Sequence, residues 1–134
     1  MRFLIFLSVC ATQLAAETPL NGQAFDALVT GKTLTFSAGQ APYGVEYYAP
    51  NQRVIWSFVN GDCVNGVWYE KPSDTGPQIC FEYENNDVPQ CWQIFEDEVG
   101  LRAQFMTRDG DAPAPTVLYQ AKESEPLICA GVGT

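Results

Sequence analysis

Two rhythms of apolar residues run along this chain. Between Asn21 and Gly31, in NGQAFDALVTG, apolar side chains fall at Phe25, Leu28 and Val29, the spacing of one helix face. Asn21 stands where an N-cap belongs and Gly31 where a C-terminal glycine belongs, so the pattern predicts one short helix. Beyond Gly31 the segments KTLTFSA, YGVEYYA, RVIWSFV, CVNGVWYEK, QICFEYE, QCWQIFED, LRAQFMTRD and TVLYQAKE are short and rich in aromatic and β-branched residues. Gly, Pro, Asn or Asp clusters separate them, and they predict about eight strands in an antiparallel up-and-down meander.

Turn chemistry sorts the faces of the first strands. Asn60-Gly61 is a strong two-residue hairpin signal, because both central positions of a type I′ turn need positive φ. It sets Trp56 against Asn65 and Val54 against Val67. A turn through Ala49–Gln52 sets Val45 against Trp56 and Tyr47 against Val54. Val45, Tyr47, Val54, Trp56 and Phe58 then share one face, which is expected to be the core. On the same register Glu46 lies diagonal to Arg53, and a cross-strand ion pair is expected there.

A sheet of this size must cover its apolar face, and one short helix is too small to do so. The expected fold is therefore all-β, a closed antiparallel barrel with the N-terminal helix across one mouth. An eight-stranded barrel is either just filled by side chains or holds one small ligand. Tyr43, Tyr47, Trp56, Trp68 and Trp92 are the aromatics that would line a ligand pocket or pack the core. Aromatics at strand spacing are ordinarily core, and packing is the expectation.

The chain starts MRFLIFLSVCATQLAA, a basic residue, an apolar run and small residues, which is the grammar of a secretory signal peptide with cleavage after Ala16. A membrane span needs roughly 20 apolar residues, and Thr12 and Gln13 interrupt this run well before that. Lipid attachment at Cys10 is disfavoured by the bulky Val9 before it. The expected organisation is a signal peptide over residues 1–16 and one disulfide-stapled β domain over residues 17–134, delivered to the periplasm or the extracellular space as a monomer.

Export changes the reading of the cysteines. Four follow the leader, Cys63, Cys80, Cys91 and Cys129, and in an exported chain an even number argues for disulfides. If the hairpin after Tyr83 bends through ENND, Cys80 faces Cys91 at a non-hydrogen-bonded pair, where Cα atoms lie about 4.5 Å apart, within disulfide range. With the preceding turn centred in KPSDTG, Cys80 lies near Val67, and Cys63 is roughly 13 Å further along the strand. Cys80–Cys91 is thus the expected staple, and elimination leaves Cys63–Cys129, which requires the tail after Pro126 to fold back along the barrel. A redox role would favour the short Cys-X-X-Cys spacing. Structural zinc would favour paired short spacings or histidine, and the chain has no histidine. No metal and no cofactor are expected.

Charge excludes one class of partner. After the leader, six basic residues face sixteen acids, a formal charge of 6 − 16 = −10. Scattered cations do not make the basic footprint that nucleic acid needs, whereas an acidic surface favours solubility and meetings with cationic partners. The expected partners are a cationic protein or a small apolar ligand.

GDCVNGVWY, QICFEYE and QCWQIF together resemble a set of small exported proteins of alphaproteobacteria that share a G-x-C-x-x-G-x-W segment followed by I-C-F-x-Y and C-W. The likeness covers roughly residues 22–106 and implies an exported β-rich fold, without an activity, substrate or catalytic residue. GVWYE is also similar to the G-x-W of lipocalins and the GTWY of avidin-like barrels, which lie on the first strand in those families and mid-chain here.

Candidate chemistry is sparse. Without histidine there is no Ser-His or Cys-His nucleophile system. Glu82 with Glu84, and the run Glu96, Asp97 and Glu98, are carboxylates for a hydrolase, but their places beside turns fit a solvated surface better. Asp109 and Asp111 in RDGDAPAP lack the remaining ligands of a calcium loop. Three functions remain: a non-catalytic exported binding or accessory module, expected first; an acidic inhibitor of a cationic envelope enzyme such as lysozyme; and, last, a carboxylate-dependent hydrolase.

Overall fold

A computed structural model describes residues 17–58, 61–107 and 118–129. The expected signal peptide over residues 1–16 with Cys10, the hairpin residue Asn60, and Asp109 and Asp111 lie outside the described residues. Helix α1 (Gly22–Val29) precedes β1 (Thr33–Ala38), β2 (Ala41–Ala49), β3 (Arg53–Phe58), β4 (Cys63–Lys71), β5 (Gln78–Tyr83), β6 (Asn86–Asp97), β7 (Gly100–Met106) and β8 (Leu118–Glu123). Each strand pairs antiparallel with the next, and β1 pairs with β8, from Leu34 opposite Glu123 to Ser37 opposite Gln120. The sheet is a closed eight-stranded barrel, so among the described strands no edge is left to pair with another chain.

The helix starts and stops where its residues dictate. The Asn21 side chain accepts a hydrogen bond from the Ala24 amide, and Gly31 adopts φ +85 beyond the last turn. Two further bonds seat it on the barrel, from the Gly22 amide to Glu70 Oε1 (2.6 Å) and from the Leu20 amide to the Ile94 carbonyl (2.7 Å). Phe25 and Val29 are fully buried, and the Phe25 ring stands edge-on to Tyr48, Trp68 and Phe81 at 5.5, 5.0 and 6.4 Å. The helix thus closes one end of the barrel with an aromatic plug.

The register of β2 differs from expectation by one residue. Ala49 pairs with Arg53 across a three-residue turn, which sets Glu46 opposite Trp56 and Tyr48 opposite Val54. Asn51 and Gln52 both take the left-handed conformation, at φ 64 and φ 58. Gln52 is held toward β4, where its carbonyl accepts from the Trp68 amide and its side chain donates to the Trp68 carbonyl, so β3 starts at Arg53. A slip of one residue turns a strand over. Gly44, Glu46 and Tyr48 face the lumen with Val54 and Trp56, whereas Val45 and Tyr47 face outward. Glu46 is buried inside and Arg53 is exposed, so the expected ion pair between them does not form.

β4 is also displaced by one residue, in the opposite sense. Trp56 pairs with Val64 and Val54 with Gly66, in place of the expected Asn65 and Val67, and Val67 is exposed on the outer face. Tyr69, and not Val67, lies opposite Cys80.

Both expected disulfides are present. Cys80 and Cys91 pair directly, with Cα atoms 4.0 Å apart, and Cys63 bonds Cys129. β8 ends at the helix end of the barrel, and Cys63 opens β4 near the other end, so the tail from Ser124 to Cys129 runs back to reach it. Two disulfides fit a non-reducing compartment.

Replacing both Cys80 and Cys91 with serine removes a short closed loop whose chain-entropy contribution is about 3 kcal/mol. The melting temperature is expected to fall by several degrees with the circular-dichroism spectrum still that of a β protein. Phe25→Ala removes the plug and is expected to cost about 3–5 kcal/mol in denaturant unfolding. A loss below about 1 kcal/mol would contradict the plug.

Candidate functional site

The barrel interior has two unlike halves. Toward α1, Phe25, Tyr48, Trp68, Ile79 and Leu101 fill the lumen as a packed core. Toward the opposite mouth the same inward rows leave a cavity of about 230 Å³. Phe36, Trp56, Trp92 and Tyr119 form much of its wall, Glu46, Tyr83 and Gln90 supply polar groups, and exposed Tyr43, Phe58, Asn85 and Asn86 stand at its border.

Small residues make that space. Ala103 and Gly44 face inward, where larger side chains would close the lumen. A Cβ on Gly44 would lie 2.2 Å from the Trp56 indole and 2.8 Å from the Ser57 carbonyl, so glycine is what lets the indole lie against the wall. Gly66 does the same for Tyr83, whose ring would be 2.7 Å from an added Cβ. A register irregularity in β1–β2, where Phe36 pairs with Gly44 and Ser37 with Pro42, makes Tyr43 the extra residue. Such a bulge re-aims its side chain, and the Tyr43 ring stacks on Tyr119 at 4.7 Å and packs on Trp56 at 5.6 Å and Phe58 at 5.8 Å. Trp92 meets Tyr119 at 5.5 Å and Phe105 at 5.0 Å, completing an aromatic collar.

Glu46 is the one charged side chain among the described residues lining this cavity. It is 2% exposed, and the Tyr83 hydroxyl donates to its Oε2 at 2.5 Å. Burial pushes the carboxyl up to about 7, against the opposing effect of the Tyr83 and Tyr48 hydroxyls, which stabilise its charge. Burial also holds the phenols of Tyr83 and Tyr48 well above their usual range, with the Glu46 charge adding to the effect. The Tyr48 hydroxyl is buried beside this group without a partner in hydrogen-bond geometry.

Of the aromatics singled out in the sequence, Tyr43, Trp56 and Trp92 gather at the cavity, Trp68 belongs to the packed half, and Tyr47 lies on the outer face. The structure adds Glu46, Tyr83, Tyr119, Phe36 and Gln90. Gly66, a small residue within an otherwise aromatic strand, was a signal for Tyr83, whose ring crosses its backbone as Trp56 crosses Gly44; no such signal marked Glu46, Tyr119, Phe36 or Gln90. Glu82, Glu84, Glu96 and Glu98 are exposed and Asp97 is half-buried, and none of these carboxylates lines the cavity. Among the described residues no group of three or more acidic or cysteine side chains is placed to hold a metal.

The fold and its site define a closed eight-stranded antiparallel barrel with a helix plug at one end and an aromatic, singly acidic cavity at the other. Comparisons with protein-family models, characterised proteins and solved structures return no match to this chain.

The raised pKa makes stability depend on pH with a definite sign. Between pH 4.5 and about 7 the unfolded chain releases the Glu46 proton while the folded chain keeps it. This group therefore lowers stability as pH rises through that window, by about 3 kcal/mol in total, and has no further effect on either side. Glu46→Gln carries no such proton. In urea unfolding, the variant's stability relative to the parent is expected to rise between pH 4.5 and 7.5, and a constant difference would contradict the buried carboxyl.

Proposed function

We propose that this protein is an exported, non-catalytic barrel that binds a small ligand in its aromatic cavity. The observation that carries this reading is the contrast between the two halves of one lumen. The same strands that bury side chains around Phe25 leave about 230 Å³ open beside Trp56 and Trp92. An empty volume of that size forfeits contacts that larger residues at Ala103 or Val64 would supply. It exceeds the roughly 150 Å³ that admits benzene and falls short of the 300–1,000 Å³ typical of drug-sized ligands. A single ring with a short arm is the size that fits.

Export is part of the proposal. It is supported by the leader-like start of the chain and by the two disulfides. The second reading, an acidic inhibitor of a cationic envelope enzyme, rests on net charge, whereas the cavity supports the first.

Binding of a neutral probe tests the cavity without regard to charge. Indole and 2-phenylethanol are expected to change the tryptophan fluorescence saturably, because Trp56 and Trp92 line the wall. Val64→Phe, which fills the space from β4, is expected to weaken both at least tenfold while the variant still melts cooperatively. Absence of saturable binding, or binding that Val64→Phe leaves unchanged, would overturn the reading.

A further inference from the structure

We propose that the cavity selects a small organic ammonium ion, held by Glu46 as its counter-ion and enclosed by the rings of Tyr43, Trp56, Trp92 and Tyr119. This rests on the ligand-binding reading above and names the chemistry of its ligand.

Ligands of different charge would meet different surroundings in this cavity. An anion would enter a low-dielectric space whose one charged lining group among the described residues is a carboxyl. Among the described residues, the cations that would welcome it are elsewhere. Lys32 pairs with Glu123, Arg102 with Glu17, and Arg53, Lys71 and Lys122 are exposed. A neutral apolar ligand would add no partner to a Glu46 carboxyl that is already buried. Among the described residues, Tyr83 is the one side chain in hydrogen-bond geometry with that carboxyl. An ammonium supplies both a charge and N–H donors to the remaining acceptor positions of the group.

The walls favour the same occupant. Rings attract a cation through the negative potential of their faces, most strongly for tryptophan and most strongly when water is excluded. Here Phe36 and Trp56 approach at 5.8 Å, Tyr43 and Trp56 at 5.6 Å, and Trp92 and Tyr119 at 5.5 Å, so rings from β1, β2, β3, β6 and β8 surround one space. Gln90, Asn85 and Asn86 complete the lining as neutral polar groups. An aromatic collar with a carboxylate beneath it is complementary to an ammonium in both charge and polarisability.

Proton linkage follows from the same arrangement. Titratable groups facing Glu46 are Tyr48 on its own strand and Tyr83 from β5, while Leu34 of β1 and Trp56 of β3 are its paired neighbours. Both phenols keep their protons to well above pH 10. Glu46 is the group that changes charge near neutrality. A bound ammonium stabilises its ionised form, so binding at pH 6 expels most of one proton into solution, and affinity rises with pH up to about 7.

The test uses three probes that share a phenyl ring and a short arm and differ in head group: 2-phenylethylamine, 2-phenylethanol and phenylacetate. Titration calorimetry at pH 7.5 is expected to show the amine binding roughly tenfold or more tighter than the alcohol, the yield of one charge-assisted hydrogen bond, with phenylacetate weakest. Glu46→Gln is expected to bring the amine down to the level of the alcohol. Should that variant fold poorly, the parent protein still decides. At pH 6, heats in two buffers of different ionisation enthalpy are expected to reveal proton release with the amine and none with the alcohol. Alcohol binding as tight as the amine, or phenylacetate tightest, would overturn the ammonium assignment and leave the cavity reading standing. Failure of all three to bind would overturn both.

Discussion

Closure of the sheet is the constraint on which the rest of this structure depends. Once β8 pairs with β1, every strand has one row of side chains in a common lumen and one row outside, and no residue can change rows without a slip or a bulge. Eight strands enclose a lumen only a few side chains wide. Whatever those inward rows carry must therefore share one small space. At one end they carry Tyr48, Trp68, Phe81 and Leu101, with Phe25 driven between them by α1, and the space is filled. At the other end they carry glycine, alanine and rings laid against the wall, and it is not.

Glu46 sits at the boundary between these halves. Its desolvation is a cost that an apolar residue in the same row would avoid, and the Tyr83 hydrogen bond offsets only part of it. The packed half lies below the carboxyl, and the open half above it is the cavity that Glu46 helps to line. Local strain sustains this placement. The left-handed pair Asn51 and Gln52, tied to Trp68, sets the register that turns Glu46 inward, so a turn at the plugged end positions the charge at the open one. The Cys80–Cys91 bond lies on the outer face of the β5–β6 hairpin whose inner face carries Tyr83 and Trp92. It holds the two strands together behind the site.

Much of the architecture was legible in the sequence because it depends on local signals. Asn21, Phe25 and Val29 announced the helix and period-two segments announced the strands; the Cys80–Cys91 pair forms as expected, although the chain turns at Glu84-Asn85 and not through all of ENND, and a register irregularity between Phe81 and Tyr83 restores the pairing. The site was less legible. Pro50-Asn51-Gln52 forms a three-residue turn that positive φ at two non-glycine residues makes possible, and although Asn51 favours that conformation, propensity gave no hint that Gln52 would join it. A one-residue error there exchanged Tyr47 and Val45 for Glu46 and Tyr48 and so hid the buried carboxyl. Aromatic residues such as Trp56 and Trp68 look alike along the chain. Only their heights in the lumen separate a cavity wall from a core.

The account stands on a carboxyl buried in the lumen at the floor of the cavity. Carbon-13 NMR of the glutamate side-chain carboxyls, assigned to Glu46 by its loss in Glu46→Gln, measures that group alone. The account predicts a titration midpoint of about 7 in the free protein, displaced downward when 2-phenylethylamine is present. A midpoint near 4.5, unmoved by the amine, would place Glu46 in water and contradict the register, the cavity floor and the ligand chemistry together.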